Sequence, residues 1–239
     1  MKSEPMEYKE YLTDKNVVLV GPSPSICGTK LGYLIDIFDV IVRMNKAVPP
    51  AVTMYNDVGI YTDVLYNCLE PSPNSGGHID VNMWKKEGVK WVCSPYPSLN
   101  FTATHIRNFL NKNKQNANLP FHMVDAALYN KVANLTGTRP NTGLLAICDI
   151  LDAPIKSLTI TGMTFGKDGY YKEYSPMSLE LYKKMANGAN HKQYPQFLYF
   201  CRLVKADERL CLDQVLWNMV KKEEPGLLQE TKRTFKERE

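Results

Sequence analysis

Three short segments of this 239-residue chain hold the side chains that could do chemistry. The first is VVLVGPSPSICGTKLG, Val17 to Gly32, followed from Asp39 by DVIVRMNKA. A β-branched run cut off by glycine reads as a buried strand that delivers the chain to the carboxyl edge of a sheet, where open α/β folds bind ligands. Gly21 permits close backbone approach there, and Ser23 and Ser25 bring hydroxyls near a helix N-terminus, a natural anion site. GPSPSICG is neither the G-x-G-x-x-G of dinucleotide folds nor a P-loop, which needs Gly-Lys-Ser/Thr. A plain strand–turn–helix connection would use the same residues, so both readings stand. Arg43 and Asn45 alternate at the end of the next strand and are expected to emerge from the same edge on one face. The Asn45 amide, donor and acceptor at once, suits a base or ribose edge; a turn-forming asparagine is the alternative.

The second segment, Arg139-Pro140-Asn141-Thr142-Gly143, leads straight into LLAICDIL. Asn141 and Thr142 are strong N-cap types ahead of an apolar helical run. A helix opened this way, with Gly143 in its first turn, presents free N–H groups to a phosphate or carboxylate, and a purely structural cap would look the same. The third segment runs from Gly162 through GKDGYYKEY to ANHKQYPQ, which contains His191. The other three histidines are His78 in a loop region, His105 on an amphipathic helix and His122 at a strand start, places where surface or packing roles are usual.

These segments need a scaffold to bring them together. Short β-rich runs alternate with helical patterns, the mark of a parallel sheet with helices on both faces. Strands are predicted at Asn16–Val20, Asp39–Met44, Val64–Tyr66, Val89–Cys93, His122–Asp125 and Leu158–Gly162. A helix is expected after the first strand, through Leu31 and Ile35, and another over Thr104–Lys114, with Ile106, Phe109 and Leu110 at helical spacing. Ser175-Pro176 reads as an N-cap with proline at the first helical position, opening a helix to about Met185. Leu210–Val220 reads as one amphipathic segment packed on the body. The PSPNSGG loop is too short for a domain linker, so the chain is read as one domain over residues 15–221. A polar segment (1–14) precedes it and a charged tail (222–239) follows.

Composition narrows the function classes. At 44% apolar and 23% charged residues the chain is an ordinary folded protein. A net charge of +4 suits an anionic small-molecule ligand, and basic residues scattered among acidic ones argue against nucleic acid. Six cysteines show no metal-ligand spacing and read as core thiols. Met1–Lys15 offers no apolar stretch for a signal peptide or membrane anchor, so a soluble, cytoplasmic protein is expected. Asn100-Phe101-Thr102 and Asn134-Leu135-Thr136 match the N-glycosylation pattern, which matters only in a secretory lumen.

GPSPSICGTKLGYLIDIFDVIVRMNKA resembles the large sialyl motif of the sialyltransferases, in which a strand and Gly-x-Ser loop lead to Ile-Asp and then Arg-x-Asn. RPNTGLLAICDIL, ending in SLTITGM, resembles the small sialyl motif with its Pro-x-Thr-Gly-Leu-Leu core, and DVGIYTDVLY fits the pattern between the two. Tyr170-Tyr171-Lys172-Glu173 falls where the family's third motif belongs, and His191 where its very small motif carries a histidine. The resemblance spans about Val17 to Arg209.

It implies a single Rossmann-like domain, a GT-A-like variant, and an inverting transfer of sialic acid or a related keto-sugar acid from a CMP-activated donor to an acceptor hydroxyl. His191 would be the general base. Gly21, Ser23, Asn45, Asn141, Thr142, Gly143, Tyr170 and Tyr171 would bind the donor. No cofactor or metal is expected: the chain lacks Asp-x-Asp, and hydroxyls with helix N–H donors can hold a monophosphate leaving group. The partners would be the CMP-sugar and a glycan or other hydroxyl acceptor, with no nucleic acid and no membrane span. The chain departs from the family pattern at Pro22 (asparagine), Gln196 (glutamate), Tyr170 (histidine), and Val17 and Pro154 (paired cysteines); loss of both cysteines fits a reducing compartment. A protein that binds or hydrolyses the donor without efficient transfer stays open. A dehydrogenase or methyltransferase would need an acidic residue where Arg43 and Asn45 stand.

Overall fold

The β-branched runs become the strands of one sheet. The computed structural model describes residues 7–99, 102–186 and 191–226. Its strands are β1 (Asn16–Val20), β2 (Val40–Met44), β3 (Val64–Tyr66), β4 (Trp91–Ser94), β5 (Phe121–Met123), β6 (Ser157–Thr161) and β7 (Leu210–Leu212). They lie in the order β5-β4-β3-β2-β1-β6-β7, and every neighbouring pair is parallel. The helices are α1 (Tyr8–Tyr11), α2 (Gly32–Asp36), α3 (Tyr55–Val58), α4 (Val81–Lys86) and α5 (Ala103–Asn116), then α6 (Ala126–Thr136), α7 (Thr142–Leu151), α8 (Leu179–Ala186), α9 (Gln193–Ala206) and α10 (Gln214–Glu223).

Period-two alternation along the strands sorts the core to both faces of this single α/β domain. Val17, Leu19, Val40 and Val42 meet residues of α7, α9 and α10 on one face. Val18, Val20 and Ile41 face the other way with Ile35 and Val58 of α2 and α3, and Leu65 and Val92 pack with α4 and α5. Helix α7 has nine buried residues among its ten, so it is an internal element whose ends are held in place from all sides. The chain steps outward from β1 to β5 and then returns to β6 on β1's other flank. That reversal opens a crevice at the carboxyl ends of β1 and β6, the usual ligand position in such sheets.

Several sequence expectations need correction. The helix after β1 is broken into a 3₁₀ turn at Pro24–Ile26 and α2, with Gly28 between them at φ +74°. Ser175-Pro176 does not open α8; Ser178 does, its hydroxyl accepting from the Leu181 N–H at 3.2 Å. Leu210–Val220 is a strand and a helix, because Asp213 interrupts it and caps α10 through the Leu216 N–H at 2.7 Å. The N-terminal segment is not wholly polar: Tyr8 and Leu12, one helical turn apart, are buried in the main core. All six cysteines are free thiols, four of them buried. Among the described residues no helix is long and apolar enough to cross a membrane. Asn100, Phe101 and most of the charged tail fall outside the described residues.

Candidate active site

Loops from the carboxyl ends of the strands wall the crevice. The Gly21 N–H donates to Thr161 O and the Ser23 N–H to Gly162 O, both at 2.8 Å, so the β1 and β6 loops stay paired beyond the sheet. No side chain fits in this contact. A Cβ on Gly21 would lie 2.4 Å from Gly162 O, and one on Gly162 would lie 2.6 Å from Gly21 O. Gly162 also holds φ +66° and donates its N–H to Asp213 Oδ2 at 2.8 Å. Gly21 therefore approaches Gly162 closely, where the sequence reading had it approach a ligand, and it supports the crevice from beneath without lining it.

A cavity of about 380 Å³ opens above this floor. Ser23, Asn45, Asn141, Thr142, Gly143, Tyr170 and His191 all line it, so seven of the nine expected site residues are brought together from five segments of the chain. Ser23 is buried with its hydroxyl 3.0 Å from that of Thr164. Asn45 sits just past β2 at φ +50°, and its Oδ1 accepts from the Cys68 N–H at 3.0 Å. That left-handed turn breaks the strand alternation, so Arg43 does not accompany Asn45. Arg43 is fully buried, donating to Val58 O (2.6 Å), Tyr61 O (3.1 Å) and Thr62 Oγ1 (3.0 Å). Burial lowers its pKa to about 10, which leaves it charged at neutral pH and tying down the loop after α3.

The N-terminus of α7 is anchored by glutamines from the opposite wall. Asn141 caps the helix with Oδ1 accepting from the Leu144 N–H at 2.8 Å. Its own N–H donates to Gln196 Oε1 (2.8 Å) and its Nδ2 to Gln193 Oε1 (3.0 Å). The N–H groups of Thr142 and Gly143, in the first turn, have no intrahelical acceptor. Gly143 is tightly packed: a Cβ there would meet Met163 Cε at 2.6 Å. Arg139 stacks 4.4 Å from the centroid of Tyr96, whose hydroxyl donates to Pro140 O at 3.3 Å.

His191 Nδ1 lies 2.9 Å from Arg139 O. A carbonyl only accepts, so Nδ1 carries the proton and the neutral ring keeps its lone pair at Nε2. Burial pushes its pKa below the usual 6.5; the bond to the carbonyl opposes that, and the Arg139 charge adds to it. The imidazole is thus neutral at pH 7. Tyr170 meets the Tyr182 ring edge-on, with centroids 4.6 Å apart, and burial raises its pKa, so it stays protonated as a donor. Tyr171 does not join it. Adjacent residues of an extended stretch face opposite ways, and Tyr171 is buried among Val18, Val20 and Ile41, its N–H donating to Pro22 O at 3.0 Å.

Tyr96, Thr164 and Gln193 also line the cavity and had escaped the sequence reading. Gln193, two residues after His191, was within reach of it; an aromatic following a strand, like Tyr96, carries no such signal. Among the described residues no three His, Cys, Asp or Glu side chains gather as metal ligands.

No family model matches the chain, and no curated protein matches it in sequence. Solved structures do match it in shape. A mammalian sialyltransferase in complex with Gal-β-1-3GalNAc-ortho-nitrophenol superposes with a TM-score of 0.55 at 18% identity, over 87% of this chain and 72% of that one. The sialyltransferase CstII from Campylobacter jejuni, in complex with cytidine-5'-monophosphate, gives a TM-score of 0.55 at 11% identity, over 84% and 79%. The monofunctional α-2,3-sialyltransferase Cst-I from the same organism gives 0.53 at 13% identity, over 89% and 78%. The fold is that of the sialyltransferases.

Within this sialyltransferase fold the departures from the motif pattern have local explanations. Gln196 holds the α7 cap while donating back to Lys192 O at 3.1 Å, a job for a neutral amide with both donor and acceptor. Pro22 offers only its carbonyl, which is taken by Tyr171. Val17 is buried in β1, and Pro154 O accepts from the Asp14 N–H at 2.9 Å, so chain pairing stands where the pattern has a cysteine pair.

Proposed function

We propose that this chain is an inverting glycosyltransferase that moves sialic acid, or a related keto-sugar acid, from a CMP-linked donor to an acceptor hydroxyl. The observation that carries the reading is one cavity that combines an unprotonated His191 Nε2 with the open N-terminus of α7. A base and an anion site facing one space are what a displacement at an anomeric carbon needs. The acceptor oxygen forms its bond to that carbon and gives its proton to His191 Nε2. The bond from the carbon to the phosphate oxygen breaks, and its electron pair leaves with CMP. The N–H groups of Thr142 and Gly143, with the dipole of α7, meet the phosphate charge, and the Tyr170 hydroxyl supplies a neutral donor. Ser23 and Asn45 line the part of the cavity left for the nucleoside. In this reading no divalent ion takes part.

Two neighbours of the same fold, the CstII complexes with CMP and with a trisaccharide acceptor plus CMP, make that nucleotide and that acceptor class the first to try. A titration series of nucleoside monophosphates and NAD tests the donor assignment. CMP should bind most tightly; binding of NAD with none of CMP would overturn it.

A further inference from the structure

A second cavity of about 340 Å³ opens beside the first. Thr164, Phe165, Gly166 and Gln193 line both, so the two spaces share one wall. The wall is thin at Gly166, which has no side chain at φ +81°; a Cβ there would come within 2.9 Å of Gln193 Cγ. The chain itself crosses between the spaces: His191 lines the first, Gln193 both, and Tyr194 the second. A molecule in the second cavity therefore lies across a single glycine and glutamine from the candidate base.

The chemistry of the second cavity is cationic. Lys167, Lys183 and Lys222 come to it from the loop after β6, from α8 and from α10. All three are exposed, and among the described residues none has an ion-pair partner. Glu223 is the carboxylate in the lining, accepting at 3.3 Å from the Tyr194 hydroxyl, so three positive charges face one negative. The loop after β6, the helix that follows it and the distant α10 thus bring lysines to one basin, in a chain whose overall charge is only +4. Tyr194, 60% exposed, offers a ring face beside those charges on which a pyranose can lie.

We propose that this basin holds an anionic group of the acceptor, a carboxylate or a phosphate, carried next to the sugar that is glycosylated. The inference rests on the transferase reading above. The lysines draw the anionic group into the basin, and the neighbouring sugar reaches past the Gly166–Gln193 wall so that its neutral hydroxyl enters the first cavity beside His191. Neutral glycans would enter without that attraction.

Calorimetric titration of the CMP-saturated protein with lactose, sialyllactose and a phosphorylated lactose tests this, using wild type, the Lys167→Ala/Lys183→Ala/Lys222→Ala variant and its Lys→Arg counterpart. An anionic ligand should bind about ten-fold more tightly than lactose at low salt, the scale of a few solvent-exposed ion contacts. The Ala variant should lose that preference with CMP affinity unchanged, and the Arg variant should keep it. Which anionic sugar binds better separates carboxylate from phosphate. Equal binding of lactose and the anionic sugars, no binding of any of them, or a preference that survives the Ala variant would overturn the proposal. If CMP itself fails to bind, the transferase reading falls; the same titrations on the free protein then decide the anion site alone.

Discussion

Helix α7 carries two polar clusters, each with a histidine, and they are built for opposite ends. At its N-terminus Asn141, Thr142 and Gly143 face the large cavity beside His191, whose Nδ1 is held by a peptide carbonyl. About two turns further on, Asp149 is 2% exposed and closed in. Its Oδ2 accepts from the Tyr66 hydroxyl at 2.6 Å and pairs with His122 Nε2 at 2.9 Å, while Tyr8 stacks on the His122 ring with centroids 4.4 Å apart. The Tyr8 and Tyr66 hydroxyls are 3.0 Å apart, and burial pushes both phenols well above their ordinary range, so each remains protonated. The difference lies in what each histidine has left over. His191 lines the large cavity and, among the described residues, has no hydrogen bond at Nε2, whereas His122 has its Nε2 consumed by a carboxylate and its face covered by an aromatic ring. The first arrangement can accept a proton from a ligand; the second locks α1, β3, β5 and α7 together.

The sharpest way to break this comparison is to remove each histidine in turn. His191→Ala should lower kcat by about a hundred- to ten-thousand-fold, the usual worth of a general base, with CMP affinity retained. His122→Ala should leave kcat within about three-fold and act on stability instead; a large loss of kcat there with little from His191→Ala would reverse the assignment. Asp149→Ala leaves the buried Tyr66 hydroxyl and the half-buried His122 Nε2 without their shared acceptor and should cost about 2–3 kcal/mol, seen as a lower Tm. A Tm unchanged by that variant would mean the closed cluster is not a structural lock. The acid limb of kcat/KM against pH should fall below 6.5, because burial and then the Arg139 charge hold His191 neutral to lower pH. Arg139→Met removes that charge but not the carbonyl, so the limb should move upward by a fraction of a pH unit, the size of a single partly screened charge. A limb that stays put would take Arg139 out of the account. Chelator should have the smallest effect, none on transfer; loss of activity restored by added divalent ion would show a metal in the mechanism.

Much of the fold was legible because parallel, doubly covered strands write themselves as short β-branched runs, and six of the seven strands are read close to where they lie. The seventh, Leu210–Leu212, escaped because it runs through Asp213 straight into α10, so strand and helix read together as one amphipathic segment. At the site, backbone chemistry could be read and side-chain direction could not. Asn141 signals its cap by residue type and position alone. The same rule of alternation misplaced Arg43, because Asn45 leaves the strand at positive φ, and nothing in YYKEY says which of Tyr170 and Tyr171 faces the cavity. Gly21 was singled out correctly as a place of close approach, yet its partner, Gly162, lies 141 residues on and only the β1–β6 pairing reveals it. The pairing of two lone glycines across a sheet reversal is a tertiary fact.

The central claim is transfer to a hydroxyl, and the measurement closest to it is CMP release from CMP-sialic acid, followed with and without a saccharide acceptor. CMP release should be slow in buffer and rise steeply with acceptor concentration, with a sialylated product formed mole for mole. Equal release in the two conditions, or CMP bound but never released, would contradict the account and leave a donor hydrolase or a nucleotide-binding protein in its place.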